Sequence, residues 1–229
     1  MQAVSGPTTP VASGRFVLRT TEKRKGFAHL MHLFGNLGHV VILGPLALAT
    51  LFYLIAIGAR RDAAAFAIAL LAGLAATIGA KLFFSLCGLH VLHPRMESPS
   101  GHESFSAAVY GCIALIVATG RPKLQQVLIG GAAALLIVLI GIGRVAQHAH
   151  SPQEVAFGLS IGIAATALFH LLRGAAARPI SLPWRAMALL SPAALVLAFG
   201  ALVFLRHWTP EYFIEGIGRR LGAHFGLCL

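Results

Sequence analysis

Three polar clusters interrupt an otherwise apolar chain. Lys81 leads to His93-Pro94-Arg95, Pro99-Ser100-Gly101-His102 follows, and Arg144, His150 and Glu154 stand in the pattern R-x5-H-x3-E. Charge is scarce elsewhere, with 7 acidic and 18 basic residues in the whole chain. Ionisable groups set against membrane are costly and mark function by default. Histidines, a carboxylate and several cations gathered in this way point to chemistry on a phosphate.

Each cluster has a physical reading. Glu154 is four residues after His150 and shares its face if that segment is helical. A carboxylate bonded to one ring nitrogen fixes the tautomer and leaves the other nitrogen as nucleophile or base. Arg144 offers a planar fork suited to phosphate oxygens. The same triplet also fits a plain interfacial histidine beside a helix-capping glutamate. In Pro99-Ser100-Gly101-His102 a tight turn precedes an apolar run, so backbone N–H groups at a helix start face any anion there. On this reading Ser100 and Gly101 bind phosphate and His102 protonates a leaving oxygen; a simple capping turn is the plainer alternative. Lys81, at the end of an apolar run, either snorkels to the interface or clamps phosphate. His90, His93, His148, Glu97 and Glu103 read as polar lining of a wet interface, with His148 near enough to Arg144 to meet substrate.

The elements that position these groups follow from composition. The chain has 229 residues, is 57% hydrophobic and 11% charged, and carries a mean hydropathy of +0.81. No soluble surface is built from so little charge, so the expected class is all-α, a polytopic helical membrane bundle in one domain. The formal net charge of +11 sits largely in loops and tails beside apolar runs. It reads as topology and contact with anionic lipid heads, and no nucleic-acid partner is expected. Cys87, Cys112 and Cys228 form no C-x-x-C pair and give no disulfide framework.

Residues 1–25 read as a polar tail with no cleavable signal, and 26–37 as an interfacial helix leading into the first span. Six spans are expected at 38–59, 63–87, 104–120, 124–147, 153–173 and 186–206, with a C-terminal tail at 207–229. Gly130, Gly131, Gly141, Gly143, Gly158 and Gly162 read as packing glycines. Six spans put both termini, the 88–103 loop and the 148–152 turn on one side. The clusters then meet at one membrane face, although nothing in the span order was chosen to bring them there. With Lys81 and Arg144 set aside, nine Lys/Arg fall on that side and seven on the other, which does not decide orientation.

The clusters resemble the type 2 phosphatidic acid phosphatase superfamily, metal-independent phosphatases with the motifs K-x6-R-P, P-S-G-H and S-R-x5-H-x3-D. The resemblance covers about 81–158. The second motif is matched in full at Pro99–His102. The third is matched at Arg144 and His150, with Gly143 for Ser and Glu154 for Asp. The first departs most: thirteen residues separate Lys81 from Arg95, and Pro94-Arg95 reverses the family order. Many membrane members have three spans before the site, where two are expected here unless 26–37 partly substitutes.

The resemblance implies a two-step mechanism. His150 attacks phosphorus to form a phosphohistidine, Glu154 orients its ring, and His102 protonates the leaving group and then activates water. Lys81, Arg144, Arg95 and the Ser100–Gly101 amides stabilise charge on the phosphoryl oxygens. No cofactor or metal is implied. The substrate is a lipid phosphate or diphosphate at the headgroup plane: phosphatidic acid, phosphatidylglycerol phosphate, polyprenyl diphosphate or a lipid A phosphate. A bacterial inner membrane with the site on the periplasmic face is implied too. Three alternatives stay open. They are a lipid phosphotransferase on the same fold, a metal-dependent membrane hydrolase built from the surplus His and Glu, and a small transporter.

Overall fold

The computed structural model describes residues 30–87 and 98–174, with single positions 26, 179, 214, 216, 217 and 220. Among the described residues the elements are helices and no strand occurs. They are α1 (Leu30–Leu37), α2 (Val40–Ala56), α3 (Arg60–Cys87), α4 (Gly101–Ala118), α5 (Lys123–Ala146) and α6 (Pro152–Arg173). The chain is thus a helical membrane bundle, as expected. Helices α3 to α6 are each long and apolar enough to cross a membrane, and α1 with α2 adds a fifth if that bent pair is one span. The first five expected spans each meet a helix. The expected span at 186–206 and the tail at 1–25 lie outside the described residues, as does nearly all of 207–229.

Within residues 26–37, α1 leads into α2 through a bend of 43°. The cause is local. Backbone bonds from Gly38 to the Gly35 carbonyl and from His39 to the Asn36 carbonyl close a turn. His39 then caps α2, its Nδ1 accepting from the Val41 N–H at 3.2 Å. A capped restart of this kind breaks the helical ladder and bends the chain.

The other helix starts are written in sequence. Ser100 caps α4, accepting from the Glu103 N–H. Ser151, Pro152 and Glu154 form a complete capping box with Pro in the first turn of α6. Each such cap contributes about 1 kcal/mol.

Helix α4 is central and packs chiefly on α6. Small residues make the approach possible. A Cβ on Gly162 would lie 2.4 Å from the Ala107 Cβ, and one on Gly158 would lie 2.4 Å from the Ser100 carbonyl oxygen. Gly130 and Gly131, also read as packing glycines, have nothing within 4 Å among the described residues. The apolar core, with Leu43, Leu54, Phe66, Val109, Ile116 and Phe169, joins α2, α3, α4 and α6. Phe66 and Phe169 meet edge to face at 6.1 Å.

Candidate active site

The site lies where α3 and α5 end and α4 and α6 begin. Glu154 is its hub. Its Oε2 accepts from the Ser151 N–H at 2.8 Å and bonds His150 Nδ1 at 3.2 Å. Its Oε1 accepts from the Ser98 N–H at 2.9 Å, and its backbone carbonyl accepts from the Ser100 N–H at 3.1 Å. The carboxyl is therefore both the α6 cap and the partner of His150, so the plainer reading of this triplet and the chemical one hold together. An N3 glutamate is the residue a capping box requires, which gives a physical reason for Glu where the family pattern has Asp. The carboxylate can only accept, so in the neutral ring Nδ1 carries the proton and Nε2 holds the lone pair. That Nε2 is buried and has no hydrogen-bond partner among the described residues.

The turn before His150 is shaped by an unusual helix end. Helix α5 closes with bonds from His148 N to the Val145 carbonyl and from Ala149 N to the Arg144 carbonyl. This pairing is a Schellman end, which asks for a left-handed residue after the cap, usually glycine. His148 occupies that place with φ +54°. Its side chain is exposed.

Lys81 comes from α3. It is 5% exposed, and its Nζ lies 3.5 Å from Ser98 Oγ. One turn earlier Thr77 Oγ1 bonds Ser104 Oγ and anchors that face of α3 to α4. The Lys81 Cε passes 3.5 Å from where a Cβ on Gly101 would sit. The hydrogen bonds thus link the first-cluster lysine, the second-cluster turn and the third-cluster carboxylate. Arg144 lies in the last turn of α5, with its Nε buried. Arg95, with His90, His93 and Glu97, lies outside the described residues.

Two readings of the sequence change in detail. Ser100 is fully buried, its hydroxyl caps α4, and its N–H is spent on the Glu154 carbonyl. Of the two amides offered to phosphate, Gly101 is the one that stays at the open end of the helix. Glu103 is not wet lining. It is 1% exposed, lies against Gly141 and Gly158, and its Oε2 has no partner among the described residues. Ser100 and Glu103 have the spacing of a capping box, but the N–H that Glu103 would take is already bonded to Glu154.

The structure adds His39, which sequence reasoning missed. Its ring meets that of His102 edge to face, with centroids 5.1 Å apart and planes at 73°. It also accounts for Gly143 at the family's serine position. A Cβ there would come 2.7 Å from the Met31 carbonyl and 3.0 Å from the Gly35 nitrogen, because α1 lies on this end of α5. Gln147 Nε2 donates to the same Met31 carbonyl at 3.1 Å.

A model of the PAP2 superfamily matches residues 79–178, the stretch that holds all three clusters. Over this stretch the chain is similar to the PAP2 superfamily. No curated protein and no solved structure matches it. That likeness supports phosphatase-type chemistry in general on phosphorylated, lipid-type substrates, and it fits the apolar helices around the site. Among the described residues no group of three or more His, Cys, Asp or Glu is placed to hold a metal ion.

Proposed function

We propose that this protein is an integral membrane lipid phosphatase that hydrolyses a lipid phosphate or diphosphate monoester through a phosphohistidine. The observation that carries the reading is the His150–Glu154 pair, with Nδ1 held by a triply engaged carboxylate and Nε2 without a hydrogen-bond partner among the described residues.

In the first step His150 Nε2 attacks phosphorus, the N–P bond forms, and the bond to the lipid oxygen breaks. His102 gives that oxygen a proton. Glu154 stabilises the imidazolium character that grows on His150, as a buried carboxylate behind a reacting histidine does. In the second step water attacks the phosphohistidine, His102 takes its proton, and the N–P bond breaks to free phosphate. Lys81, Arg144 and the Gly101 N–H balance charge on the phosphoryl oxygens, with Arg95 a further candidate. Ser100 sets the start of α4 and so the place of His102. The site at the helix ends suits a phosphate held at the headgroup plane, and by family likeness the face is the periplasmic one of a bacterial inner membrane.

The test is phosphate release by the purified detergent-solubilised chain from a panel of lipid phosphates and diphosphates, with chelator present. Release by wild type and none by His150→Ala is expected. Phosphate passed to a lipid acceptor with none released would replace the reading by a phosphotransferase. Full activity in His150→Ala would sink the mechanism.

A further inference from the structure

We infer that His39 is a positioning residue for His102 and sets it for proton transfer to the leaving oxygen; the inference rests on the phosphatase reading above. His39 stands at the bend between α1 and α2, and three observations make it a built support.

The first is its tautomer. The Val41 N–H donates to His39 Nδ1, so the neutral ring carries its proton on Nε2. Protonating Nδ1 would break the cap and add positive charge at a helix N-terminus, where the dipole opposes it. A cationic His102 alongside would oppose it further. The cap therefore keeps His39 Nδ1 engaged with the Val41 N–H, away from the proton that His102 must hold.

The second is contact. The two rings meet at 5.1 Å in the edge-to-face arrangement that aromatic pairs prefer, which restricts rotation of the His102 ring. The third is rigidity of the support. Tyr110, about two turns after His102 on the same helix, donates to the Leu37 carbonyl at 3.0 Å. A Cβ on Gly38 would lie 2.6 Å from Ile140 and 3.7 Å from the His102 Cβ, so the bend is seated directly against α5 and α4. The ring that touches His102 is thereby tied to the helix that carries His102.

A positioning role for the acid has a signature that a merely structural role lacks. A nitrophenyl phosphate expels an anion that needs no proton, whereas a short-chain phosphatidic acid expels an alkoxide that does. Leaving-group release is measured in single turnovers, so that hydrolysis of the intermediate does not enter. His39→Asn keeps a capping side chain and removes the ring. His39→Phe keeps a ring and removes the cap. We expect His39→Asn to slow release from the short-chain phosphatidic acid by about ten- to a hundredfold, within the range of acid catalysis, and to change the nitrophenyl rate less than about threefold. His39→Phe should recover most of the loss on the lipid. If His39→Asn does not fold, His39→Ser, which also caps, is read in the same way.

Equal slowing on both substrates, or no slowing on either, overturns the inference. So does a His39→Phe variant that is as impaired as His39→Asn on the lipid alone. Failure of the underlying reading shows earlier and separately: wild type then releases no leaving group, or His150→Ala releases it as fast as wild type.

Discussion

The two ends of the bundle solve the same electrostatic problem differently. At the far end Asp62 of α3 holds Arg173 of α6, and both are buried. Arg173 also donates to the Leu115 carbonyl at 3.3 Å and to Thr119 Oγ1 at 3.0 Å, and its guanidinium lies 5.2 Å from the centre of the Phe169 ring. Arg61 adds a bond to the Leu172 carbonyl. At the site end Glu154 holds His150. In each pair a carboxylate fixes a basic side chain across or along helices. What differs is the atom left over among the described residues. At the far end it is an Arg173 NH2, always protonated and chemically inert. At the site it is His150 Nε2, a nitrogen with a lone pair. On the proposed reading, a carboxylate–base pair is a clamp in one place and a poised nucleophile in the other, and the type of base decides which.

Deleting the leftover atom breaks this contrast most strongly. His150→Ala should lower kcat roughly 10⁴-fold or more, the scale of losing a nucleophile that works as part of a unit. Thermal unfolding should move little, since Glu154 keeps both amide donors. Glu154→Gln comes next. Three N–H groups point at its two oxygens, so an amide must turn its NH2 toward one of them. A loss of about 10²–10⁴ in kcat is expected, with weakened α6 capping. The mirror experiment is Asp62→Asn. It leaves the Arg173 charge buried without a counter-charge and should cost about 3–5 kcal/mol in thermal or denaturant unfolding. The folded fraction should keep wild-type kcat. A kcat loss with unchanged stability would mean the far end is no mere clamp.

The contrast was only half legible in the sequence. The site end was readable because charge is so rare: Lys81, Arg144 and Glu154 stand out within apolar runs, and the parity of the spans brings them to one face. The helices were readable for the same reason, through long apolar stretches broken by Pro, Gly and Ser. The far end was not. Asp62 and Arg173 are 111 residues apart, and each looks like a loop charge beside a span. His39 was hidden for a related reason: it is one histidine in an apolar stretch, and its partner comes from a helix that only folding brings near. Glu103 misled because its burial depends on Gly141 and Gly158 of two other helices. Sequence reports what a residue is, and local spacing reports its neighbours on one helix. Partners across helices are set by packing.

Packing offers a smaller test. Gly158→Ala would push a methyl group against the Ser100 carbonyl and pry the second-cluster turn from Glu154. We expect about 1–3 kcal/mol of destabilisation, from overpacking, with a measurable fall in kcat. Gly130→Ala is its control, since a Cβ there meets nothing within 4 Å among the described residues. That change should be neutral or stabilise by about 0.5–1 kcal/mol. Equal effects at the two positions would mean that the close approach of α6 to α4 does not hold the site.

The smallest effect is expected where the two ends differ in backbone. Helix α6 closes at the far end on Gly174 with φ +68°, while α5 closes at the site on His148 with φ +54°. Glycine takes a positive φ freely, and a histidine in the left-handed region is strained by about 1–2 kcal/mol. His148→Gly removes that strain but enlarges the freedom of the unfolded chain, which takes back part of the gain. The net should be stabilisation by no more than about 1 kcal/mol, read from thermal unfolding. Activity then separates two roles. If His148 serves only as the turn that delivers His150, the Schellman bonds survive in glycine and kcat should stay within about twofold. If its exposed ring meets the substrate, KM should rise while stability still improves. The strain would then be the cost of placing a side chain at the mouth of the site, where the far end, with no substrate to meet, uses glycine.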